Sequence, residues 1–336
     1  MKKILFFGYY GEGNLGDELL LKNLKDYFSK DFILGVLTSN KSYYKNLTCF
    51  DKFNPKEVLK AVNWTDIVIG GGGGIFQDKT SLRSLLYYLS IIWLSFIKKK
   101  RVYLIGQSFS TFKYPISKFL VKISLPFCQK IYVRDKLSFD ILNNIGISGD
   151  KVSIIPDLVF LTEIPEIKFK KNNVGINFRP WRGINLKELE NILINLKNQE
   201  EKLIFFSFQD SLDLELFNKF PMETRKDVEI ISFNNENFWD KFSSCKYFVG
   251  MRLHSLILAS IMGIPFLGLS YDDKIDAYLN DLGWKYYLSI YDLNKFLPTW
   301  KQLKEEGEEL ELYLKIKIDE KRKILKEELE KVKGEI

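Results

Sequence analysis

A short apolar run, a turn carrying glycine or polar residues, and then a stretch of helical periodicity recur along the whole chain. This recurrence limits the fold more than any other feature. Candidate strands fall at 4–7, 33–37, 67–69, 102–105, 131–133 and 152–155, and again at 174–178, 203–208, 229–233, 247–249, 265–269 and 286–289. The runs are continuously apolar rather than alternating, as expected of strands covered on both faces. Behind the first run, Leu20, Leu24 and Phe28 recur at helical spacing, and the stretch from Asn14 to Asp17 offers a cap. Strands of this kind alternating with helices imply parallel sheets.

The two sets of strands separate near Pro156 to Asn173, where Pro156, Pro165 and a basic cluster at 168–171 read as a linker. At 336 residues the chain exceeds one typical small domain. The expected architecture is α/β, with two Rossmann-like domains at 1–156 and 173–302 joined by a linker at 157–172. The tail, 303–336, is a charged helical pattern with Leu310, Leu314, Ile318, Leu325 and Leu329 interspersed. It reads as a solvated helix packed on the body, because its heptads are too irregular for a coiled coil.

Composition excludes several classes. Lys and Arg number 50 against 43 Asp and Glu, an excess of +7 that suits an anionic substrate or a negatively charged membrane surface. No helix-turn-helix or zinc-finger pattern accompanies it, which argues against nucleic acid. Cys49, Cys128 and Cys245 are scattered and odd in number. They form neither a disulfide framework nor, with a single histidine, a metal-ligand set, so a reducing compartment and no metal are expected. The apolar start is broken at Gly11-Glu12-Gly13-Asn14 and reads as a buried strand rather than a signal peptide. The stretch 85–97, closed by Lys98-Lys99-Lys100-Arg101, is shorter than the roughly 20 apolar residues that span a bilayer. A buried helix with a cationic end is the expectation, a membrane-surface helix the alternative.

Four constellations could carry chemistry. The first is Gly11-Glu12-Gly13-Asn14-Leu15-Gly16-Asp17-Glu18 after the first strand, where backbone amides and a helix N-terminus favour an anion. It is not a well-formed dinucleotide fingerprint, and Asp17 reads equally as a helix cap. The second is five consecutive glycines, 70–74, followed by Gln77 and Asp78. So long a run is costly in entropy and suggests a wall of a ligand cleft at Gly72 and Gly73, with Gln77 and Asp78 facing hydroxyls. The third is Arg134, directly after a strand, able to grip a carboxylate or phosphate or to pair with Asp135. The fourth joins Arg252 and His254 to Lys274, beyond the ends of two strands. Convergence of such groups implies an anionic small molecule. His254 is the one histidine, hence the natural proton donor near neutral pH or, alternatively, a packed core residue.

Together these pieces resemble the polysaccharide pyruvyl transferase family, of the CsaB type, from Lys3 to about Gly283. The residues that carry the resemblance begin with Gly11-x-Gly13-Asn14-x-Gly16-Asp17-Glu18, the Gly70, Gln77 and Asp78 stretch with Thr80-Ser81, and Val133-Arg134-Asp135-Lys136-x-Ser138. They continue with Arg179-Pro180-Trp181, Gln209 with Asp213, Met251-Arg252-Leu253-His254, Gly263-Ile264-Pro265 and Ser270-Tyr271-Asp272-x-Lys274. One departure is Gly106-Gln107-Ser108-Phe109-Ser110, where the family commonly has Gln-Gly-Ile-Gly-Pro. This difference reads either as altered acceptor choice or as divergent packing.

The resemblance implies two halves like those of B-type glycosyltransferases, with the active site between them. It implies transfer of pyruvate from phosphoenolpyruvate, a co-substrate rather than a cofactor, to a sugar of a cell-wall polysaccharide precursor. An N-acetylhexosamine, free or lipid-linked, is the expected acceptor, and a ketal and phosphate are the products. The family's important acid, arginine, histidine and lysine fall on Asp17, Arg134, His254 and Lys274. Arg252 is the expected donor-binding partner, and Asn14, Gly72, Gly73, Gln77 and Asp78 are expected to bind substrate. The location implied is the cytoplasm, with peripheral contact at the inner face of the membrane. A nucleotide-sugar glycosyltransferase of similar fold is the competing reading.

Overall fold

The apolar runs pair, all in parallel, as two sheets. The computed structural model describes residues 1–79, 81–164, 172–199 and 202–336; Thr80, Pro165 and the basic cluster at 168–171 lie outside the described residues. Strands β1 (Lys3–Phe7), β2 (Ile33–Thr38), β3 (Thr48–Asp51), β4 (Ile67–Gly73), β5 (Arg101–Gln107), β6 (Lys130–Val133) and β7 (Val152–Ile154) form the first sheet. Its spatial order is β3-β2-β1-β4-β5-β6-β7. Strands β8 (Asn173–Asn177), β9 (Lys202–Ser207), β10 (Glu229–Ser232), β11 (Cys245–Gly250), β12 (Phe266–Ser270) and β13 (Tyr287–Ser289) form the second, in the order β10-β9-β8-β11-β12-β13. Only β3 lacks a counterpart among the expected strands. It is four residues long at a sheet edge and buries only Phe50 fully, too little apolar sequence to signal itself.

Helices α1 (Leu15–Phe28), α2 (Pro55–Trp64), α3 (Leu82–Ile97), α4 (Pro115–Ser124) and α5 (Lys136–Asn144) connect the strands of the first sheet. The second is served by α6 (Leu186–Lys197), α7 (Asp210–Phe217), α8 (Met222–Arg225), α9 (Phe238–Ser243), α10 (Leu253–Ile261) and α11 (Asp273–Leu282). In both sheets the chain runs outward through three strands and then returns to the other side of the first. Strand order therefore reverses between β1 and β4, and between β8 and β11. Open α/β sheets bind ligands beyond the carboxyl ends of strands at such reversals.

The chain divides into two compact units, Met1–Thr162 with Arg322–Ile336, and Glu163–Lys321. The first unit keeps residues beyond 156 because Leu158, Val159 and Phe160 are buried and Asn23 Nδ2 donates to the Leu158 carbonyl at 2.8 Å. The charged tail is two helices, α12 (Phe296–Glu305) and α13 (Gly307–Glu335), and does not form a unit of its own. From Arg322 on, α13 belongs to the first unit. Arg322 donates to the carbonyls of Phe160 and Thr162 at 2.9 and 3.1 Å, and Tyr132 donates to Glu335 at 2.9 Å. Leu325, Leu329 and Val332 are fully buried. Leu329→Ala is therefore expected to lower stability by about 2–5 kcal/mol, read as an earlier denaturant midpoint. A freely solvated tail would leave that midpoint unmoved.

Candidate active site

In the first unit, the site residues gather where β1 and β4 end. Asn14, expected to bind substrate, caps α1, its Oδ1 accepting the Gly16 amide at 3.1 Å. Asp17 lies in the first helical turn, 8% exposed, where unpaired amides favour a negative charge. It abuts the end of β4, for a Cβ on Gly73 would stand 2.9 Å from Asp17 Oδ1.

The glycine run has a different cause from the one expected. Glycines 70–73 are the end of β4 rather than a turn. A Cβ at Gly70 would lie 2.7 Å from Leu104, one at Gly71 2.3 Å from Leu24, and one at Gly72 2.8 Å from Leu20. The run thus lets α1 and the neighbouring strand press close, and Leu20 covers the face that Gly72 was expected to offer a ligand. Only Gly74, with no atom nearer than 3.9 Å to its virtual Cβ, is both exposed and open. Gly73 combines a φ of +78° with the Asp17 contact. Gly73→Ala is expected to cost about 1–3 kcal/mol in unfolding free energy and to push the Asp17 carboxylate away. A variant as stable and active as the parent would contradict that placement.

Asp78 also has internal employment. It is buried and accepts the amides of Lys113 and Tyr114 at 2.8 and 2.9 Å, fixing the approach to α4. Burial works to raise its pKa, but those amides prevail and hold it below the ordinary value. Gln77 beside it is half-buried. In the departure at Ser108-Phe109-Ser110, Phe109 is buried and stacks on Phe76 with ring centroids 5.6 Å apart.

Arg134 follows β6 and is buried between carboxylates of its own unit. Its Nη1 donates to Asp157 at 2.9 Å and its Nε lies 3.6 Å from Asp135. Asp135 in turn caps α5 through the Ser138 amide at 2.7 Å. The guanidinium expected to grip an anion is therefore already neutralised, and it organises the turns after β6 and β7.

The second unit has the same kind of edge, but with cations. Arg252 ends the turn after β11, one residue before α10, and is 5% exposed. Its Nε donates to both oxygens of Asp213 at 2.9 Å, and its Nη2 reaches Oδ1 at 2.5 Å and Gln209 Oε1 at 3.3 Å. Asp213, fully buried, also accepts the amides of Phe208 and Gln209 at 2.9 and 3.2 Å. Asn177 at the end of β8 bridges the pair, its Oδ1 accepting the Arg252 amide at 3.1 Å and its Nδ2 reaching Asp213 at 3.3 Å. The charge of Arg252, expected on the donor, is cancelled inside the fold. What the network does is lock the β11–α10 turn, which sets His254, half-buried in the first turn of α10.

Lys274 occupies the first turn of α11 after β12, its amide held by Asp272 Oδ1 at 3.2 Å. Arg179, two residues past the end of β8, figures in the sequence only as part of a motif. Its Nη1 donates to the Tyr271 hydroxyl at 2.8 Å, and its guanidinium lies 5.1 and 5.4 Å from the rings of Tyr271 and Trp181. Among the described residues, no carboxylate lies within ion-pair distance of Arg179 or Lys274. Arg179, His254 and Lys274 thus follow three adjacent strands, β8, β11 and β12, at the carboxyl edge. Placement immediately after an apolar strand, the signal that singled out Arg134, could have marked Arg179 as well.

Comparison with known proteins agrees with this architecture. Solved structures similar in fold include Anabaena HepE in complex with UDP (13% identity, 99% of this chain and 100% of that one, TM-score 0.66). The UDP-GlcNAc 2-epimerase of Methanocaldococcus jannaschii aligns at 12% identity over 90% of this chain and 92% of its own, with TM-score 0.62. A glycosyltransferase from Rickettsia africae aligns at 11% identity over 99% and 98%, with TM-score 0.63. These show the fold, two Rossmann-like parallel α/β sheets of the B-type glycosyltransferase kind. No curated protein sequence is matched. The family model described as polysaccharide pyruvyl transferase matches residues 14–273, from the cap of α1 to the first residue of α11. The chain belongs to the polysaccharide pyruvyl transferase family.

Proposed function

We propose that the protein transfers the pyruvyl group of phosphoenolpyruvate to two neighbouring hydroxyls of a sugar in a polysaccharide precursor, forming a cyclic ketal and releasing phosphate. The observation that carries this reading is the edge formed by Arg179, His254 and Lys274 on adjacent strand ends, with Arg179 and Lys274 unneutralised by carboxylates of the described residues. A small acid bearing both a carboxylate and a phosphate fits that charge. His254 protonates the methylene carbon, which becomes the methyl group, while one sugar hydroxyl oxygen bonds to the central carbon. The second hydroxyl oxygen then bonds to the same carbon as its bond to the phosphate oxygen breaks. Lys274 and Arg179 stabilise the departing phosphate. Asp17 takes the proton of the first hydroxyl, and the proton of the second leaves on the phosphate.

A nucleotide sugar is the rival donor, favoured by the UDP found in structures of similar fold such as HepE. Ligand-induced thermal shifts separate the two. Phosphoenolpyruvate is expected to raise the unfolding temperature, and the Lys274→Ala variant to lose that rise. Stabilisation by UDP-sugars but not by phosphoenolpyruvate would favour glycosyl transfer instead.

A further inference from the structure

Between Asp78 and Asp135 the chain carries eleven Lys or Arg residues and no Asp or Glu. The excess of the whole chain is only +7, so everything outside this stretch is net negative. The stretch builds α3, β5 and α4 of the first unit. The two helices lie side by side with their C-terminal ends level: Trp93 Nε1 donates to Ser124 Oγ at 2.8 Å, and Phe96 stacks on Phe127 with centroids 4.1 Å apart.

Helix α4 turns apolar side chains outward as well as inward, where Leu120 and Val121 pack on the core. The residues it buries are Ser117, Val121 and Ser124, whereas Ile116, Phe119 and Ile123 are 50%, 54% and 43% exposed. Those three recur at i, i+3 and i+7 and so form one outward stripe. A helix bordered by water carries polar residues on its outer side instead. At the end of α3, Phe96 and Ile97 are exposed as well. Lys98, Lys99, Lys113, Lys118 and Lys122 are exposed around these apolar groups.

We propose that this face docks the first unit onto a bilayer containing anionic phospholipid. Ile116, Phe119 and Ile123 enter the boundary between headgroups and acyl chains, and the lysines meet headgroup phosphates. Charge complementarity selects this occupant. A second copy of the chain, meeting the same face about a two-fold axis, would bring like-charged lysines together. Among the described residues no helix is long and apolar enough to cross a membrane, so the contact is superficial. In a parallel α/β unit a helix starts where a strand has ended, which puts the N-terminal end of α4 on the edge that carries Asp17. A docked unit therefore holds that edge close to acceptors anchored in the bilayer. The docking itself does not depend on which donor the enzyme uses.

The test is co-sedimentation of the full chain with phosphatidylcholine vesicles and with vesicles of phosphatidylcholine and phosphatidylglycerol in equal parts. The protein is expected to partition onto the anionic vesicles, to prefer them over the neutral ones, and to leave them as salt is raised. Ile116→Ser/Phe119→Ser/Ile123→Ser and, separately, Lys118→Glu/Lys122→Glu are each expected to lower partitioning at least about tenfold, with unchanged unfolding transitions. No partitioning onto anionic vesicles at low salt would overturn the proposal, as would wild-type partitioning by both variants. So would a dimer in gel filtration that the triple serine variant dissociates while vesicle binding persists.

Discussion

Asp213→Ala is expected to destabilise the second unit by about 3–5 kcal/mol, read as an earlier unfolding transition. Asp213 is fully buried and holds a buried guanidinium by three donor contacts of 2.5–2.9 Å. Removing it strands the charge of Arg252 in a site that is 5% exposed, and frees the amides of Phe208 and Gln209 as well. Truncating one partner of a buried pair costs far more than the pair itself contributes. The paired replacement Asp213→Leu/Arg252→Met should for that reason recover much of the loss, and calorimetry of the three proteins checks the order. Kinetics of the paired variant then separate two roles for Arg252. A residue that only sets the β11–α10 turn lowers kcat while leaving KM for phosphoenolpyruvate near its original value. A rise of tenfold or more in KM would return Arg252 to direct contact with the donor.

His254→Ala is expected to lower kcat by about 10²–10⁴-fold, the range typical for loss of a positioned general acid. The proposed transfer needs a proton delivered to carbon, and the chain has only this one imidazole. The position supports the role: the first turn of α10, half-buried, directly after the locked Arg252. Parallel unfolding curves distinguish the catalytic effect from a structural one. A kcat within threefold of the parent, with the fold intact, would remove His254 from the reaction.

The alternation of strands and helices was readable because most buried parallel strands are continuous apolar runs, and twelve of the thirteen strands among the described residues had an expected counterpart. Their spatial order was not readable. The central runs are alike in being apolar, and nothing in β1 or β4 alone says that they are neighbours. The tail was legible as a helix, yet its alliance with the first unit runs through Arg322 and Glu335, whose partners Phe160, Thr162 and Tyr132 lie 160 or more residues away in sequence. At the site, residue types and positions were legible but the state of their charges was not. Arg252 and Asp213 are 39 residues apart and Arg134 and Asp157 are 23 apart, so their pairing appears only in three dimensions. The glycine run misled for the same reason, since the neighbours that demand small residues, Leu20, Leu24 and Leu104, are distant in sequence.

The most direct measurement is simultaneous assay of phosphate and of modified acceptor, with phosphoenolpyruvate and a panel of free and lipid-linked amino sugars. The parent enzyme is expected to release one phosphate for each sugar converted to its pyruvate ketal, and His254→Ala to lose both products together. Phosphate released by His254→Ala at the parent rate, or sugar transferred from a UDP-sugar with no phosphoenolpyruvate present, would contradict this account.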